Sequence, residues 1–177
     1  MNRQPNRRLQ IATLAAVVMA ALVTAPAHGA KPTRTVSGPS EHWFIPAGFG
    51  CSFAVLVQPA ADESSKITQF DDAHTRITHR GNTTFTNWDS GASVVHGARF
   101  QRTVTHDQAA NTLVATVRGR VSINLWPGDY GPYGVVSEPG LLVAITGSVQ
   151  STFDFNIGSY TAFSFKGQLT DVCALLA

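Results

Sequence analysis

The side chains best placed to do chemistry in this chain are the aromatic rings of one short segment. Residues 126–134 read Trp-Pro-Gly-Asp-Tyr-Gly-Pro-Tyr-Gly, so Trp126, Tyr130 and Tyr133 alternate with residues that restrict the backbone. Rings on such a stiff loop can stack on a sugar or on a small aromatic ligand. In the alternative interpretation, Trp126 covers the core and the tyrosines pack over a turn. The sequence therefore predicts a ligand-binding candidate at these three residues that requires no metal.

Other reactive side chains lack a catalytic motif. The chain has no Gly-x-Ser-x-Gly and no glycine-rich phosphate loop. The carboxylates that fall within strand-like runs, and so could form a glycosidase pair, are Asp154 and Asp171. The segment from Asp71 to His74 gathers possible metal ligands, but an aspartate bonding its own backbone in a solvated turn explains it better. We therefore assign no catalytic residue, no metal site and no cofactor, and favour a non-catalytic protein.

The two cysteines, Cys51 and Cys173, stand near opposite ends of the strand-rich part. In an oxidising compartment they can pair only with each other. A disulfide between them places their Cα atoms within about 7 Å. The first and last segments of the fold are therefore predicted to be neighbours.

The N-terminal residues have the pattern of an export signal. Three arginines (Arg3, Arg7 and Arg8) precede an apolar run from Ile11 to Val23, and small residues at 25–27 fit a cleavage site. The alternative is an uncleaved membrane anchor, for which the apolar run is short. We expect residues 1–29 to be a signal peptide and the remainder to be a secreted, extracellular protein without a membrane partner.

The charge balance changes if that signal is removed. The whole chain has 13 Lys and Arg against 11 Asp and Glu, for a net charge of +2. Removing the three leader arginines makes the remainder slightly acidic. The spaced pairs Arg99 with Arg102 and Arg118 with Arg120 lie inside strand-like runs and do not suggest a patch. Nucleic acid is therefore not expected as a partner. A small-molecule ligand stays open as a partner.

Hydrophobic residues recur with a period of two through most of the chain. The clearest alternation runs from Leu113 to Leu125, and Ala98, Phe100 and Val104 provide a matching apolar face upstream. These patterns predict an antiparallel hairpin of 99–105 with 112–125, with the odd-numbered residues of the second strand in the core. Arg102 interrupts the apolar face. Three interpretations stay open for it: the strand ends there, a bulge shifts the register, or the charge points inward.

Eight or nine such runs are separated by turn signals, including one at 80–82. We predict an all-β fold, an antiparallel up-and-down or meander β-barrel of about eight strands closed by the terminal disulfide; the alternative is a β-sandwich. Residues 30–40 lack apolar periodicity and are expected to be a flexible lead-in. Residues 41–177 are expected to form the single domain.

Short motifs resemble those of a loose group of uncharacterised small secreted β proteins from high-GC Gram-positive bacteria. The likeness lies in the segments 51–55, 70–72 and 86–87, in Trp126 with Gly128-Asp129, and in 171–175. The resemblance implies a bacterial exported protein with a terminal cysteine pair and a β fold. It implies no activity and no catalytic residue.

Three classes of function remain open from the sequence. A non-catalytic barrel that binds a small apolar or sugar ligand fits the missing catalytic motifs. A barrel enzyme of the cyclase or isomerase type would place inward ionisable residues such as Arg102, His79 or His96 around one cavity. A structural or interaction protein at the cell surface would instead show an apolar outer patch over a filled interior.

Overall fold

The computed structural model describes residues 31–177, so the predicted signal peptide lies outside the described residues. The described chain consists of strands and one short helix. In chain order these are β1 (Thr33–Ser37), β2 (Trp43–Ile45), β3 (Val55–Pro59), β4 (Ser64–Gln69), β5 (His74–Asn87), β6 (Ser93–Asp107), β7 (Thr112–Leu125), β8 (Tyr130–Gly131), β9 (Gly134–Val135), β10 (Leu141–Asp154), β11 (Ser159–Asp171) and α1 (Val172–Leu176). Within this range, no helix has the length and apolar character needed to cross a membrane.

Most strands form one antiparallel meander. Strands β4, β5, β6, β7, β10 and β11 lie side by side in that order, and β1 pairs with the free edge of β4. Strands β2 and β3 extend the sheet beside the second half of β5. In the described chain β1 and β11 are the two ends of this path and no ladder joins them. The all-β antiparallel fold is confirmed, and the choice between a barrel and a sandwich stays a prediction.

The predicted hairpin is confirmed. Strands β6 and β7 pair without a register shift from Arg99 opposite Arg120 to Asp107 opposite Thr112. On β7, the buried residues are odd-numbered, as the alternation predicts: Ala115, Val117, Val121 and Leu125. Arg102 lies opposite Val117 and is therefore an inward charge, with a buried Nε that bonds to no described residue.

The turn predicted at 80–82 is wrong, because β5 continues through it. Gly81 and Asn82 remain in the ladder with β6, opposite Ala98 and Gly97. A Cβ at position 81 would lie 2.9 Å from Glu63 of the preceding connection. The glycine is therefore required by a close approach between two segments, which a sequence pattern does not distinguish from a turn.

Part of the predicted flexible lead-in is a strand. Residues 33–37 form β1 and pair with β4, from Thr33 opposite Gln69 to Ser37 opposite Ser65. Every residue of β1 is exposed. The strand is thus held by backbone hydrogen bonds at a sheet edge, and this explains why it carries no apolar periodicity.

A line of glycines bends the long strands. Gly119, Gly147 and Gly167 are opposite one another on β7, β10 and β11, with φ values of 122°, 144° and 128°. A Cβ at Gly147 would collide with the carbonyl oxygen of Lys166. The strands therefore approach too closely there for any side chain.

The bend brings distant parts of the sheet together. Asp129, just after β7, accepts hydrogen bonds from Ser159 and Tyr160 at the start of β11. The end of β7 and the start of β11 lie at opposite ends of β10, and a straight strand of 14 residues would hold them roughly 45 Å apart. The strands must therefore curve back on themselves.

Curvature divides the interior into two apolar cores. One contains Val117, Val121, Ile145 and Phe163 on the inner face of the bend. The other contains Val57, Phe85, Leu142 and Leu176, between the β2–β3 end of the sheet and the opposite face of β10. Because β10 contributes to both cores, its first half is buried on both sides.

The predicted disulfide is confirmed and ties the start of the fold to its end. Cys51 and Cys173 are bonded, with their Cα atoms 5.5 Å apart. Cys173 lies on α1, which begins after Asp171, whose side chain accepts a hydrogen bond from the Ala174 amide. Asn87 donates from Nδ2 to the Leu176 carbonyl at 3.0 Å. A helix of five residues is too short to give a 3.6-residue pattern, so the sequence did not predict it.

Candidate anion-binding face

Basic side chains gather on the face of the sheet opposite Val117 and Val121. Three neighbouring cross-strand rows form this face: one runs from Arg34 to Ser164, the next from Val36 to Lys166, and the third from Ser64 to Gln168. We refer to these rows as the cationic face. It carries eight exposed cations: Arg34, Lys66, Arg76, Arg80, Arg99, Arg118, Arg120 and Lys166.

Three arginines stand side by side in the third row. Arg80 is opposite Arg99 on the next strand, and Arg99 is opposite Arg120 on the strand after that. Directly opposed side chains have Cβ atoms about 4.5–5.5 Å apart, and like charges at that separation destabilise a sheet. The arrangement therefore lowers the stability of the free protein, and a bound anion would offset that cost.

Acidic residues are excluded from the cationic face. In the described chain each one occupies a connection or the last residue of a strand: Glu41, Asp62, Glu63, Asp71, Asp72, Asp89, Asp107, Asp129, Glu138, Asp154 and Asp171. The ion pair found among the described residues joins His74 to Asp71. The eight cations of the face thus have no carboxylate partner in the described chain.

Two shallow depressions cover the middle of the face. Lys66, Arg80, Arg99 and Arg118 help to line one of about 610 Å³. Arg80, Arg99 and Arg120 help to line a neighbouring one of about 780 Å³, where Asp62 is the acidic contributor. Arg80 and Arg99 border both depressions and therefore lie at the centre of the candidate site.

The positive charge of the face also acts on a neighbouring histidine, His96. Burial lowers the pKa of His96, and the positive charge of Arg120 lowers it further. The ring is hydrogen-bonded to Ser122, with Nδ1 2.8 Å from Oγ. His96 is therefore neutral near pH 7 and adds no charge to the face.

The prediction that these arginines form no patch is wrong. Along β6 alone, Arg99 and Arg102 point to opposite faces and form no patch. The patch arises across strands, because the register places Arg80, Arg99 and Arg120 in one row. One feature of the sequence does indicate the patch: the acidic residues are confined to connections and strand ends.

The inward ionisable residues do not form one constellation. His79 and Arg102 share the inner face of the bent sheet, where His79 stacks on Phe100 with ring centroids 4.7 Å apart. Burial lowers the pKa of His79, and the nearby Glu63 carboxylate opposes that shift. His96 instead reaches Ser122 on the other face of β7. The structure therefore does not bring these three residues together.

The aromatic loop is held by the buried carboxylate of Asp129. Its Oδ2 accepts from the Trp126 amide at 2.7 Å, and its Oδ1 accepts from Ser159 Oγ at 2.7 Å. Trp126 packs edge-on against Phe49. Tyr130 and Tyr133 are 43% and 79% exposed. The loop is thus fixed with both tyrosines at the surface, and the ligand-binding role of Trp126, Tyr130 and Tyr133 stays a prediction.

The carboxylates singled out by the sequence bond to backbone. Asp71 Oδ1 accepts from the amides of Ala73 and His74, and the hydrogen bond with the His74 ring is the main cause that lowers the pKa of Asp71. Asp154 accepts from the Asn156 amide, and Asp171 caps α1 at the other end of the β10–β11 ladder. The two therefore do not form a glycosidase pair. In residues 31–177 no group of three His, Cys, Asp or Glu side chains is placed to hold a metal ion.

Comparisons of the chain with protein-family models, with curated proteins and with solved structures find no match.

Proposed function

We propose that this protein binds a polyanion through the cationic face. The observation that carries the proposal is the row Arg80, Arg99, Arg120, in which like charges oppose one another on three adjacent strands. Such a row has no benefit for folding. Arginine offers a planar fork of donors that suits carboxylate, sulfate and phosphate groups, so the row supports anion recognition.

The protein would act as an exported binding module without catalytic chemistry. The export-like leader and the disulfide support a location in an oxidising, extracellular compartment. The strong bend at the glycine line favours an open barrel over a flat sandwich. The polyanion would lie across the outside of this barrel, on the face away from Val117 and Val121.

Replacing Arg99 with glutamine tests the proposal. We expect Arg99→Gln to weaken binding to heparin roughly three- to tenfold at low salt, because Arg99 borders both depressions. The magnitude of the slope of log K against log salt concentration should fall by about 1, which corresponds to the release of one counterion fewer. Fluorescence anisotropy of labelled heparin at several salt concentrations measures both quantities.

The matched control is Lys31→Gln, which removes the same charge from an exposed residue outside the three rows. Its affinity should stay within about twofold of the parent, because Lys31 lines neither of the two depressions that Arg99 borders and contributes only a screened surface charge. Equal weakening by both variants would show that net charge alone determines binding. A parent protein that binds no heparin would overturn the proposal.

A second candidate function is binding of an uncharged sugar or apolar ligand at the aromatic loop. Asp129 favours it, because its three hydrogen bonds fix the loop and so reduce the ordering entropy lost on binding. Such a ligand would change the fluorescence of Trp126 in the parent and not in a variant with Tyr130→Ala and Tyr133→Ala. An identical response in both proteins would place the ligand elsewhere.

A further inference from the structure

The neutral residues of the cationic face carry hydroxyl or amide groups. Between the cations, the three rows present threonine, serine and glutamine, with Val36 at one edge as the apolar exception. Their side chains are Ser64, Thr68, Thr78, Gln101, Thr103, Thr116, Thr146, Ser148, Gln150, Ser164 and Gln168. Hydroxyls and amides both donate and accept hydrogen bonds, whereas phosphate, sulfate and carboxylate groups only accept. The face can therefore bind a ligand that combines anions with neutral hydroxyl groups.

The three rows hold no aromatic side chain, and Val36 is their one apolar side chain, while the rings of His79 and Phe100 border the depression of about 610 Å³. Proteins that bind single-stranded nucleic acid stack the bases on aromatic rings. Proteins that bind a membrane surface insert apolar side chains below the headgroups. Phe70 lies outside the rows, but its ring is 5.2 Å from the Arg76 guanidinium, and it lines a third depression of about 280 Å³ together with Arg34 and Lys66. The rows themselves thus provide neither a run of aromatic rings for stacking bases nor a set of apolar side chains for insertion into a membrane.

The cations extend across the whole width of the sheet. They begin with Arg34 on β1 and end with Lys166 on β11, at the two ends of the strand path. Neighbouring strands are about 4.8 Å apart, so the seven strands of this path give a track of roughly 29 Å. A small anion would occupy only one depression. A track of that length fits an extended polymer that carries a charge on repeated units.

We propose that the ligand is a linear acidic polysaccharide. Its carboxylate or sulfate groups would pair with the arginines, and its hydroxyl groups would hydrogen-bond to the threonines, serines and glutamines between them. This inference rests on the proposed function and adds the class of ligand to it. The central residues for sugar contact are Thr78, opposite Lys66 and Gln101, and Thr116, opposite Thr103 and Gln150.

The test removes hydroxyl groups and leaves every charge in place. A variant with Thr78→Val and Thr116→Val keeps side-chain shape and β-branching, so the sheet should retain its stability. Its affinity is measured for four probes: heparin, polygalacturonate, inorganic polyphosphate and a 20-base-pair DNA duplex. The control is Thr84→Val, which lies on β5 beyond Gly81 and outside the three rows. Circular dichroism and the unfolding midpoint establish that each variant is folded.

We expect the double variant to lose roughly three- to tenfold in affinity for heparin and polygalacturonate, because each lost neutral hydrogen bond has a modest net effect. Polyphosphate affinity should change by less than about twofold, and Thr84→Val should match the parent throughout.

Three other results would overturn the inference in distinguishable ways. If DNA or polyphosphate binds as tightly as heparin at the same salt and the double variant changes nothing, the ligand class is wrong while polyanion binding stands. If none of the four probes binds the parent, the proposed function itself fails. Binding to vesicles of phosphatidylglycerol in preference to all four probes would identify a membrane surface instead.

Discussion

Substitution of Gly147 by alanine is expected to destabilise the protein by more than about 3 kcal/mol. Gly147 has a φ of 144° in the middle of β10, and a Cβ there would collide with the Lys166 carbonyl oxygen. Relief would require β10 and β11 to separate, and the approach is mutual, because a Cβ at Gly167 on β11 would likewise collide with the Thr146 carbonyl oxygen on β10. Urea unfolding followed by circular dichroism measures the loss.

Gly91→Ala provides the matched control for this prediction. Gly91 also has a positive φ, of 74°, but a Cβ at that position meets nothing within 4 Å. Its substitution should cost only about 1 kcal/mol, from backbone strain alone. The difference between the two variants isolates the collision at the bend. Equal losses would contradict the assignment of the glycine line as the cause of the curvature.

Loss of the disulfide is the second large effect that we expect. The bond joins residues separated by 122 positions, and closing so long a loop is worth on the order of 4–5 kcal/mol in the chain-entropy model. Cys51 and its neighbour Val172 are fully buried, so reduction also loosens α1 over the core that contains Val57 and Phe85. A variant with Cys51→Ser and Cys173→Ser should unfold at a much lower denaturant concentration than the oxidised parent.

The reduced parent supplies the control for the serine variant. Both lack the covalent constraint, so their unfolding midpoints should be similar, and any difference reports the hydroxyl groups in the core. A loss below about 1 kcal/mol in both would contradict the role of the bond in closing the fold.

The sequence was sufficient for the strands whose burial alternates. The hairpin of β6 and β7 follows from the period-two pattern of residues 113–125, because one face of each strand is buried in the core that contains Val117 and Val121. The terminal disulfide follows from the presence of two cysteines in a single domain.

The sequence was insufficient where long-range geometry determines the outcome. Gly81 has the signature of a turn, yet it is required by the approach of Glu63. Strand β1 is fully exposed, so no burial pattern reveals it.

The cationic face could not be predicted for a related reason. Arg80, Arg99 and Arg120 are about twenty residues apart in sequence, and only the exact strand register makes them neighbours. A shift of one residue would send one arginine to the opposite face. The period-two alternation does show that Arg118 and Arg120 lie on the exposed face of β7, away from the core. It does not show which residues of the neighbouring strands lie beside them.

The most direct test of polyanion binding is an NMR titration that follows the arginine side-chain Nε–H signals. Six arginines lie on the cationic face, namely Arg34, Arg76, Arg80, Arg99, Arg118 and Arg120, while Arg102 points inward and serves as an internal control. On addition of heparin we predict that the signals of Arg80, Arg99 and Arg120 shift most and that the Arg102 signal does not move. Unchanged signals from the face, with heparin shifting only the indole signal of Trp126 or nothing at all, would contradict the assignment of this surface as the binding site.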